Sequence, residues 1–262
     1  MAAIVTVMCA DQVKLLLDRF TADISRVVPL SALWAHGSLA LGDFQPGRSD
    51  FDLVALVSTD ITDAQRQQLH HAHEVLIREA PLADKLHCSY VIRSQLADVS
   101  QRHLTWAMGE LFTRRISPVS RRELRTGGLC LYGLEPAAVI PPVSDEELAD
   151  FIRGDLRDFW YPATGKSDPW LRDIWVDLGL LTLARATVTL QDGRLITKRE
   201  ALDVLATGLN APADVLRDIY QRRYETEPPI SEQWRIRRAE LARTFVRTGI
   251  EHVLASQPGQ PA

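Results

Sequence analysis

Two carboxylates and a Gly-Ser pair are the residues of this chain whose types and spacing could do chemistry. Asp50 and Asp52 stand two residues apart where a predicted strand begins, and Gly37-Ser38 follows the preceding predicted strand. Side chains two apart on a strand point to the same face, so both carboxylates can reach one hard cation. Proteins commonly hold Mg²⁺ in this way, with one or two carboxylates plus the phosphates of a substrate. Because a Gly-Ser turn can bring backbone N–H groups close to a polyphosphate, the two features together predict nucleotidyl transfer.

The alternative is a surface turn followed by a strand that happens to carry two acids. Two like charges beside apolar strand residues are costly to bury unless something pairs with them, which favours the metal site.

Residues 33–57 also resemble the polymerase-β-like nucleotidyltransferases, whose pattern is Gly-Ser, a Gly-containing connection and then Ser-Asp-X-Asp. The residues that carry the resemblance are Gly37, Ser38, Gly42, Ser49, Asp50 and Asp52. The resemblance implies that ATP is the nucleotide and that Asp50 and Asp52 hold Mg²⁺. It also implies that Gly37, Ser38 and Ser49 bind the β/γ end of the triphosphate.

The elements that must position these residues change character along the chain. The first part has the pattern of an α/β domain with a mixed sheet, which we place at residues 1–143. Its helices are predicted at 11–28, 62–80, 94–115 and 121–126, and its strands at 32–37, 51–57, 86–92 and 129–133. A proline-rich segment over 136–142 marks its boundary.

The second part, residues 144–262, has the pattern of an all-α helical bundle. Helices are predicted at 145–160, 169–190, 197–209, 211–224 and 231–255. The fold class predicted for the whole chain is therefore α+β.

This helical part resembles the aminoglycoside O-adenylyltransferases of the streptomycin/spectinomycin type. The resemblance lies in Gly133–Pro136, in Trp160 at the end of a helix, and in residues 180–202. It implies that Arg185 and Lys198 contact the phosphates of the nucleotide.

Lys198 has a separate physical reason to bind an anion. Thr197 and Glu200 have the spacing of a capping box, which places Lys198 at the first helical position, where its charge opposes the helix dipole. A triphosphate there would remove the conflict; the alternative is a solvated lysine. Arg185 lies in an otherwise apolar helix, where it either extends to the surface or faces a cleft.

An acidic segment predicts attraction of a cationic substrate. Residues 145–180 contain nine acids and four bases. A polyamine sugar would be drawn to such a field, although acids in the first turn of a helix are also explained by the helix dipole. The acids assigned to the substrate are Asp155, Asp158 and Asp173. Trp106 and Trp160 either stack on sugar rings or close the core.

The strand after Asp52 departs from the family pattern, which usually places a third acid there as metal ligand or general base. Residues 85–91 contain no acid, Asp84 comes just before them, and His87 lies nearest the expected position. Since an imidazole can take a hydroxyl proton, His87 is predicted to be the base; the alternative is a strand histidine with a backbone partner. Three histidines on the polar helix before this strand are predicted at the surface: His70, His71 and His73.

Composition limits the function classes. The chain has 262 residues, is 46% apolar and carries a net charge of −4. These values suit one or two globular domains and argue against general nucleic-acid binding. Three widely separated cysteines have no metal-ligand spacing and favour a reducing compartment. The apolar start of the chain lacks a basic segment and is too short to span a membrane. We therefore expect a cytoplasmic monomer that binds neither nucleic acid nor membrane.

These patterns predict a Mg²⁺-dependent enzyme that transfers AMP from ATP to a hydroxyl of a small cationic molecule. An aminoglycoside antibiotic is the leading candidate, which would make the protein a resistance enzyme. Two alternatives stay open. One is the same chemistry on a protein or another metabolite, and the other is an ATP-binding regulator that has lost catalysis with the third acid.

Overall fold

The computed structural model describes residues 2–226 and 229–255, which divide into two compact units between Val143 and Ser144. The first unit carries the sheet, and the second is built from helices. No helix among the described residues has the length and apolar character needed to cross a membrane.

The first unit begins with a long helix and then interleaves strands with helices. Its helices are α1 (Ala2–Ser25), α2 (Gly37–Ala40), α3 (Asp63–Glu79), α4 (Pro118–Gly127) and α5 (Pro136–Val139). Its strands are β1 (Leu30–His36), β2 (Phe51–Val57), β3 (Leu86–Ile92), β4 (His103–Ala107), β5 (Glu110–Arg114) and β6 (Leu129–Gly133). Thr62 caps α3 as predicted, because its hydroxyl accepts from the Gln65 backbone while the Gln65 side chain accepts from the Thr62 N–H.

The strands form one six-stranded sheet in the order β5-β4-β3-β2-β1-β6. Only the central pair β2–β3 is parallel, and the other neighbours are antiparallel. The mixed sheet predicted from the sequence is confirmed. β2, which carries Asp52, lies between β1 and β3, so its side chains have neighbours on both sides.

The prediction of a helix over 94–115 is wrong, because most of this segment is the β4–β5 hairpin. Ala107 pairs with Glu110, which leaves Met108 and Gly109 as a two-residue turn with φ of 53° and 80°. Positive φ at both central positions is typical of the hairpin turns whose twist matches the strands. In the sequence, the apolar residues of the two short strands have the spacing of one face of a helix.

The two faces of the sheet are covered by different elements. On one face, Leu33 and Leu53 join residues of α1 and α3 such as Phe20 and Leu69. On the other face, Trp34 and Val54 pack with Leu124 of α4 and with Ile140. Side chains alternate between faces along a strand, so the even-numbered positions of β1 and β2 face α4.

His73 corrects the prediction of three surface histidines on α3. Its side chain is buried, its Nε2 lies 2.7 Å from the Tyr90 hydroxyl, and its ring stacks on Trp106 at 4.5 Å. Burial, helped by the neighbouring His70, lowers the pKa of His73 to about 3. The polar sequence around His73 hid this contact, because its partners lie on β3 and β4.

The helical unit follows the predicted order with two interruptions. Its helices are α6 (Asp145–Asp155), α7 (Tyr161–Ala163), α8 (Asp173–Asp192), α9 (Lys198–Thr207), α10 (Ala213–Tyr224) and α11 (Glu232–Ala255). A π-helical turn at Leu156–Trp160 joins α6 to α7, and a 3-10 turn at Asp168–Leu171 precedes α8. The helices predicted at 145–160 and 169–190 are therefore segmented.

A glycine of α11 faces a leucine of α8. A Cβ on Gly249 would lie 2.4 Å from a methyl group of Leu183, so a larger residue would require the Leu183 side chain to move. Helix axes can approach closely where a small residue faces a large one.

An ion-pair network also ties α8, α10 and α11 together. Arg238 is fully buried, donates to Asp218 at 2.9 Å, and pairs with Asp173. Arg222 pairs with Asp218 and with Asp177. Each buried arginine is thus paired with aspartates, as a charge in an apolar interior requires, although the Nε atoms of Arg222 and Arg238 have no hydrogen-bond partner among the described residues.

Candidate active site

Asp52 lies at the centre of a row of polar residues across three strands. It is the cross-strand partner of His36 on β1 and of His87 on β3. Residues directly opposite in neighbouring strands share a face of the sheet, so His36, Asp52 and His87 stand side by side. This row lies at the end of β1, where the chain turns into Gly37.

The Gly-Ser turn lies directly against Asp52. Gly37 has a φ of +63°, and a Cβ built on it would lie 2.7 Å from Asp52 Oδ2. Both the positive φ and this close approach require glycine. The sequence motif thus brings the backbone of the turn and one carboxylate together, as predicted from its spacing.

His87 lies beside Asp52 on the neighbouring strand β3. Its Nδ1 lies 3.8 Å from Asp52 Oδ1, and the side chains are 17% and 35% exposed. The pair is close enough for electrostatic interaction and open enough to meet a ligand. Asp84, the other candidate base, is exposed within the 3-10 turn Pro81–Lys85 that precedes β3.

The connection from Gly37 to Asp52 is held by its own hydrogen bonds. The Asp43 N–H donates to the Ser38 carbonyl at 3.0 Å, and the Gln45 N–H donates to the Ser49 hydroxyl at 3.0 Å. Ser49 is 3% exposed. The Ser49 hydroxyl thus braces the loop that carries Asp50, and the predicted contact of Ser49 with a phosphate stays a prediction.

The donor set suits a metal ion that is shared with a substrate. Asp50 and Asp52 are both partly exposed, Asp50 just before β2 and Asp52 within it. Among the described residues, no group of three or more His, Cys, Asp and Glu is arranged to hold a metal ion. Mg²⁺ needs few protein ligands when phosphates and water supply the rest, so these two carboxylates fit it.

His36 and Glu123 are site residues that the sequence analysis missed. Glu123 of α4 is buried, and its Oε2 lies 3.0 Å from His36 Nδ1. The only sequence signal was an acid on the apolar face of α4, next to the buried Leu124. The partner of Glu123 could not be read from the sequence, because it lies 87 residues away.

Arg185 and Lys198 are brought together within the helical unit. Arg185 Nε donates to the Ile196 carbonyl at 2.9 Å, two residues before Lys198. Lys198 is the first residue of α9, and the predicted capping box between Thr197 and Glu200 is present. Arg185 thus braces the segment that places Lys198.

The three acids assigned to a substrate differ in their partners. Asp155 is half-buried; burial raises its pKa, and a hydrogen bond with Trp160 opposes that rise. Asp158 is held by both oxygens to Arg157 at 2.7 and 2.8 Å, which lowers its pKa. Asp173 pairs with Arg238. The acidic excess of residues 145–180 is therefore partly balanced by arginines from α10 and α11.

Trp106 and Trp160 are core residues rather than stacking surfaces. Trp106 is 1% exposed, and it pairs with Cys88, which places it on the opposite face of the sheet from Asp52. Trp160 is buried against Trp170 and Trp175. Phe159, next to Trp160, is exposed and lies 6.1 Å from the partly exposed Trp175 in a stacked arrangement.

The fold resembles that of a solved structure. The chain matches the crystal structure of spectinomycin adenyltransferase AAD(9) from Enterococcus faecialis, solved with ATP and spectinomycin, with a TM-score of 0.61. The match covers 92% of this chain and 99% of the other, at 14% sequence identity. The chain therefore shares the overall fold of that structure. The predicted α+β class, with a mixed sheet followed by helices, is confirmed.

Sequence comparison gives no second line of support, since no protein-family model and no curated protein matches the chain. At 14% identity the structural likeness shows a shared fold.

Proposed function

We propose that the protein is a Mg²⁺-dependent nucleotidyltransferase that transfers AMP from ATP to a hydroxyl group of a small cationic molecule. The observation that carries the proposal is the contact between the Gly37 turn and Asp52, with His87 beside Asp52, in a nucleotidyltransferase fold. The turn that would meet the phosphates, the carboxylate that would bind the metal and the histidine that would act as the base then lie at the same end of β1, β2 and β3.

Asp50 and Asp52 would hold the metal. When bound, Mg²⁺ neutralises charge on the phosphates and helps to place them. The Gly37-Ser38 turn would bind the β/γ end through backbone N–H groups, and Ser49 would keep the loop in place. The prediction that Asp50 and Asp52 share the ion follows from their spacing on one face.

His87 would act as the general base. The acceptor oxygen forms a bond to the α-phosphorus while the bond from that phosphorus to the bridging oxygen breaks, and pyrophosphate leaves with the bonding electron pair. The hydroxyl proton passes to a ring nitrogen of His87, whose orientation Asp52 influences from 3.8 Å. Catalysis then rests on positioning, charge neutralisation and one proton transfer.

The helical unit would contribute to nucleotide and acceptor binding. Lys198 would contact phosphate, with Arg185 fixing the segment before it. The relative named above was solved with ATP and spectinomycin, which supports ATP as donor and an aminoglycoside-type acceptor for this chain. Of the three acids assigned to the substrate, Asp155 best suits a cation. Asp158 and Asp173 each pair with an arginine, whereas no arginine contributes to the pKa shift of Asp155. Phe159 and Trp175 offer the aromatic surface on which a sugar ring could stack.

The test is pyrophosphate release from ATP and Mg²⁺ in the presence of an aminoglycoside panel, with uncharged sugars as controls. The proposal expects release that depends on a cationic acceptor, and mass spectrometry should find AMP added to that acceptor. ATP binding without stimulation by any panel member would point to another acceptor. Tight ATP binding with no pyrophosphate release from any acceptor would favour the regulator, whose basis is the absence of an acid from β3.

A further inference from the structure

The mechanism above leaves one neighbour of Asp52 without a role. His36 is the last residue of β1, it is the cross-strand partner of Asp52, and it directly precedes Gly37. His36 and His87 therefore flank Asp52 on the same face, one on the side of the Gly37-Ser38 turn and the other on the side of β3. Proton transfer from the acceptor gives a role to His87 and leaves His36 without one.

Glu123 fixes the orientation of His36. The two side chains are 12% and 7% exposed, and His36 Nδ1 lies 3.0 Å from Glu123 Oε2. A buried carboxylate accepts hydrogen bonds, so Nδ1 carries the proton that points to Glu123. The second ring nitrogen, Nε2, lies on the far side of the ring from that bond. A carboxylate that anchors one nitrogen of a histidine leaves the other for a ligand.

The position of His36 indicates which kind of ligand its ring could bind. The ring precedes a turn whose backbone approaches Asp52 so closely that a Cβ would lie 2.7 Å from Oδ2. A triphosphate bound at this turn would place its β and γ phosphates beside β1. An imidazolium ring between a carboxylate and a phosphate donates a hydrogen bond from each nitrogen, one to each anion.

We propose that His36, oriented by Glu123, binds the β/γ phosphates and stabilises the leaving pyrophosphate through a hydrogen bond from Nε2. This inference rests on the proposed function and adds a substrate contact to it. Glu123 is the positioning residue. The two histidines beside Asp52 then divide the reaction, with His87 on the acceptor side and His36 on the pyrophosphate side.

The test compares ligands that have and lack the β and γ phosphates. Calorimetry with the full chain and Mg²⁺ measures the affinities for ATP, inorganic pyrophosphate and AMP. His36→Asn retains a donor near the position of Nδ1 and removes Nε2, so the contact with Glu123 can persist. We expect ATP and pyrophosphate to bind about 10- to 100-fold more weakly, with AMP affinity unchanged. Glu123→Gln should give a smaller loss of the same kind.

A matched histidine–glutamate pair provides the control. His70 Nδ1 lies 3.5 Å from Glu74 Oε2 on α3, and both side chains are exposed. His70→Asn and Glu74→Gln should leave all three affinities unchanged. The AMP affinity and the thermal unfolding midpoint of the His36 variant report whether it is folded.

Three outcomes decide the matter. A loss confined to ATP and pyrophosphate supports the role of His36. Equal losses for ATP and AMP, or an unchanged ATP affinity, overturn this inference and leave the proposed function standing. If the unchanged protein binds neither ATP nor pyrophosphate, both the inference and the proposed function are wrong.

Discussion

The sheet unit and the helical unit place their charged residues by different physical means. In the sheet unit, strand register sets Asp52 beside His36 and His87, and a glycine turn closes on the carboxylate. In the helical unit, the acids of α8 are held by arginines that lie 45 and 65 residues further along the chain. Asp52 and His87 of the sheet unit stay partly exposed, whereas the acids of α8 pair with arginines of the helical unit.

This difference predicts different consequences of substitution. Removing a polar group beside Asp52 should change binding or rate with little change in the free energy of unfolding, because those side chains are partly exposed. Removing a buried partner from the helical network should lower the free energy of unfolding, because another charge is left uncompensated.

The largest stability effect is expected at Arg238. Arg238→Met removes the partner of Asp218 and Asp173 from a fully buried position and should lower the free energy of unfolding by about 3–5 kcal/mol. Urea denaturation measures it. Arg217→Met is the control, because Arg217 forms an exposed ion pair with Asp214 and should change stability by less than about 1 kcal/mol. Similar small losses in both variants would show that the network is not what holds the helices.

The largest rate effect is expected at His87. His87→Ala should slow the chemical step about 100-fold or more, as expected for loss of a general base, with little change in ATP affinity. The limb of the pH–rate profile that reports the base should disappear. His71→Ala, on the exposed surface of α3, should have the normal rate and profile. A normal rate in His87→Ala would return His87 to a structural role and make Asp84 the next residue to test.

His73 tests whether the sheet unit also has a buried titratable group that controls stability. Its folded pKa of about 3 lies below the value of about 6.5 in an unfolded chain, so folding favours the neutral ring. The contribution of the neutral His73 ring to the free energy of unfolding is complete above pH 6.5. It is lost as the pH falls toward 3, at up to about 1.4 kcal/mol per pH unit. His73→Phe should show a shallower loss of stability between pH 6 and pH 4 than the unchanged protein, measured by urea denaturation. The exposed control His71→Phe should keep the original slope; equal slopes in both variants would contradict the burial argument.

The smallest effect is expected at Lys198. Lys198→Ala should weaken ATP binding about 10-fold, the value of one charge-assisted contact, and should leave the free energy of unfolding nearly unchanged. Lys166→Ala provides a control, because Lys166 is an exposed lysine of the same unit. Equal ATP affinities for the two variants would remove Lys198 from the nucleotide site.

The features that were predicted correctly from the sequence are those that depend on neighbouring residues in the chain. The Gly37 turn, the Asp50–Asp52 spacing and the capping boxes at Thr62 and Thr197 are local patterns, and the structure contains each of them. The positions of β1, β2 and β3 were also predicted closely, because their apolar runs are bounded by turn residues.

The features that were wrong or missed depend on distant partners. Trp106 stacks on His73, and Glu123 pairs with His36. Neither contact can be predicted from the local sequence. The β4–β5 hairpin was mistaken for a helix because its turn uses Met108-Gly109 in place of the commoner Asn-Gly.

The central claim is that Asp52 and the Gly37 turn bind the metal complex of a nucleotide. Calorimetric titration of ATP with and without Mg²⁺ tests it most directly, using the unchanged protein, Asp52→Asn and the exposed control Asp60→Asn. We predict that Mg²⁺ tightens ATP binding to the unchanged protein and to Asp60→Asn, and that Asp52→Asn loses this enhancement while keeping its urea midpoint. The same enhancement by Mg²⁺ in a folded Asp52→Asn variant would contradict the account.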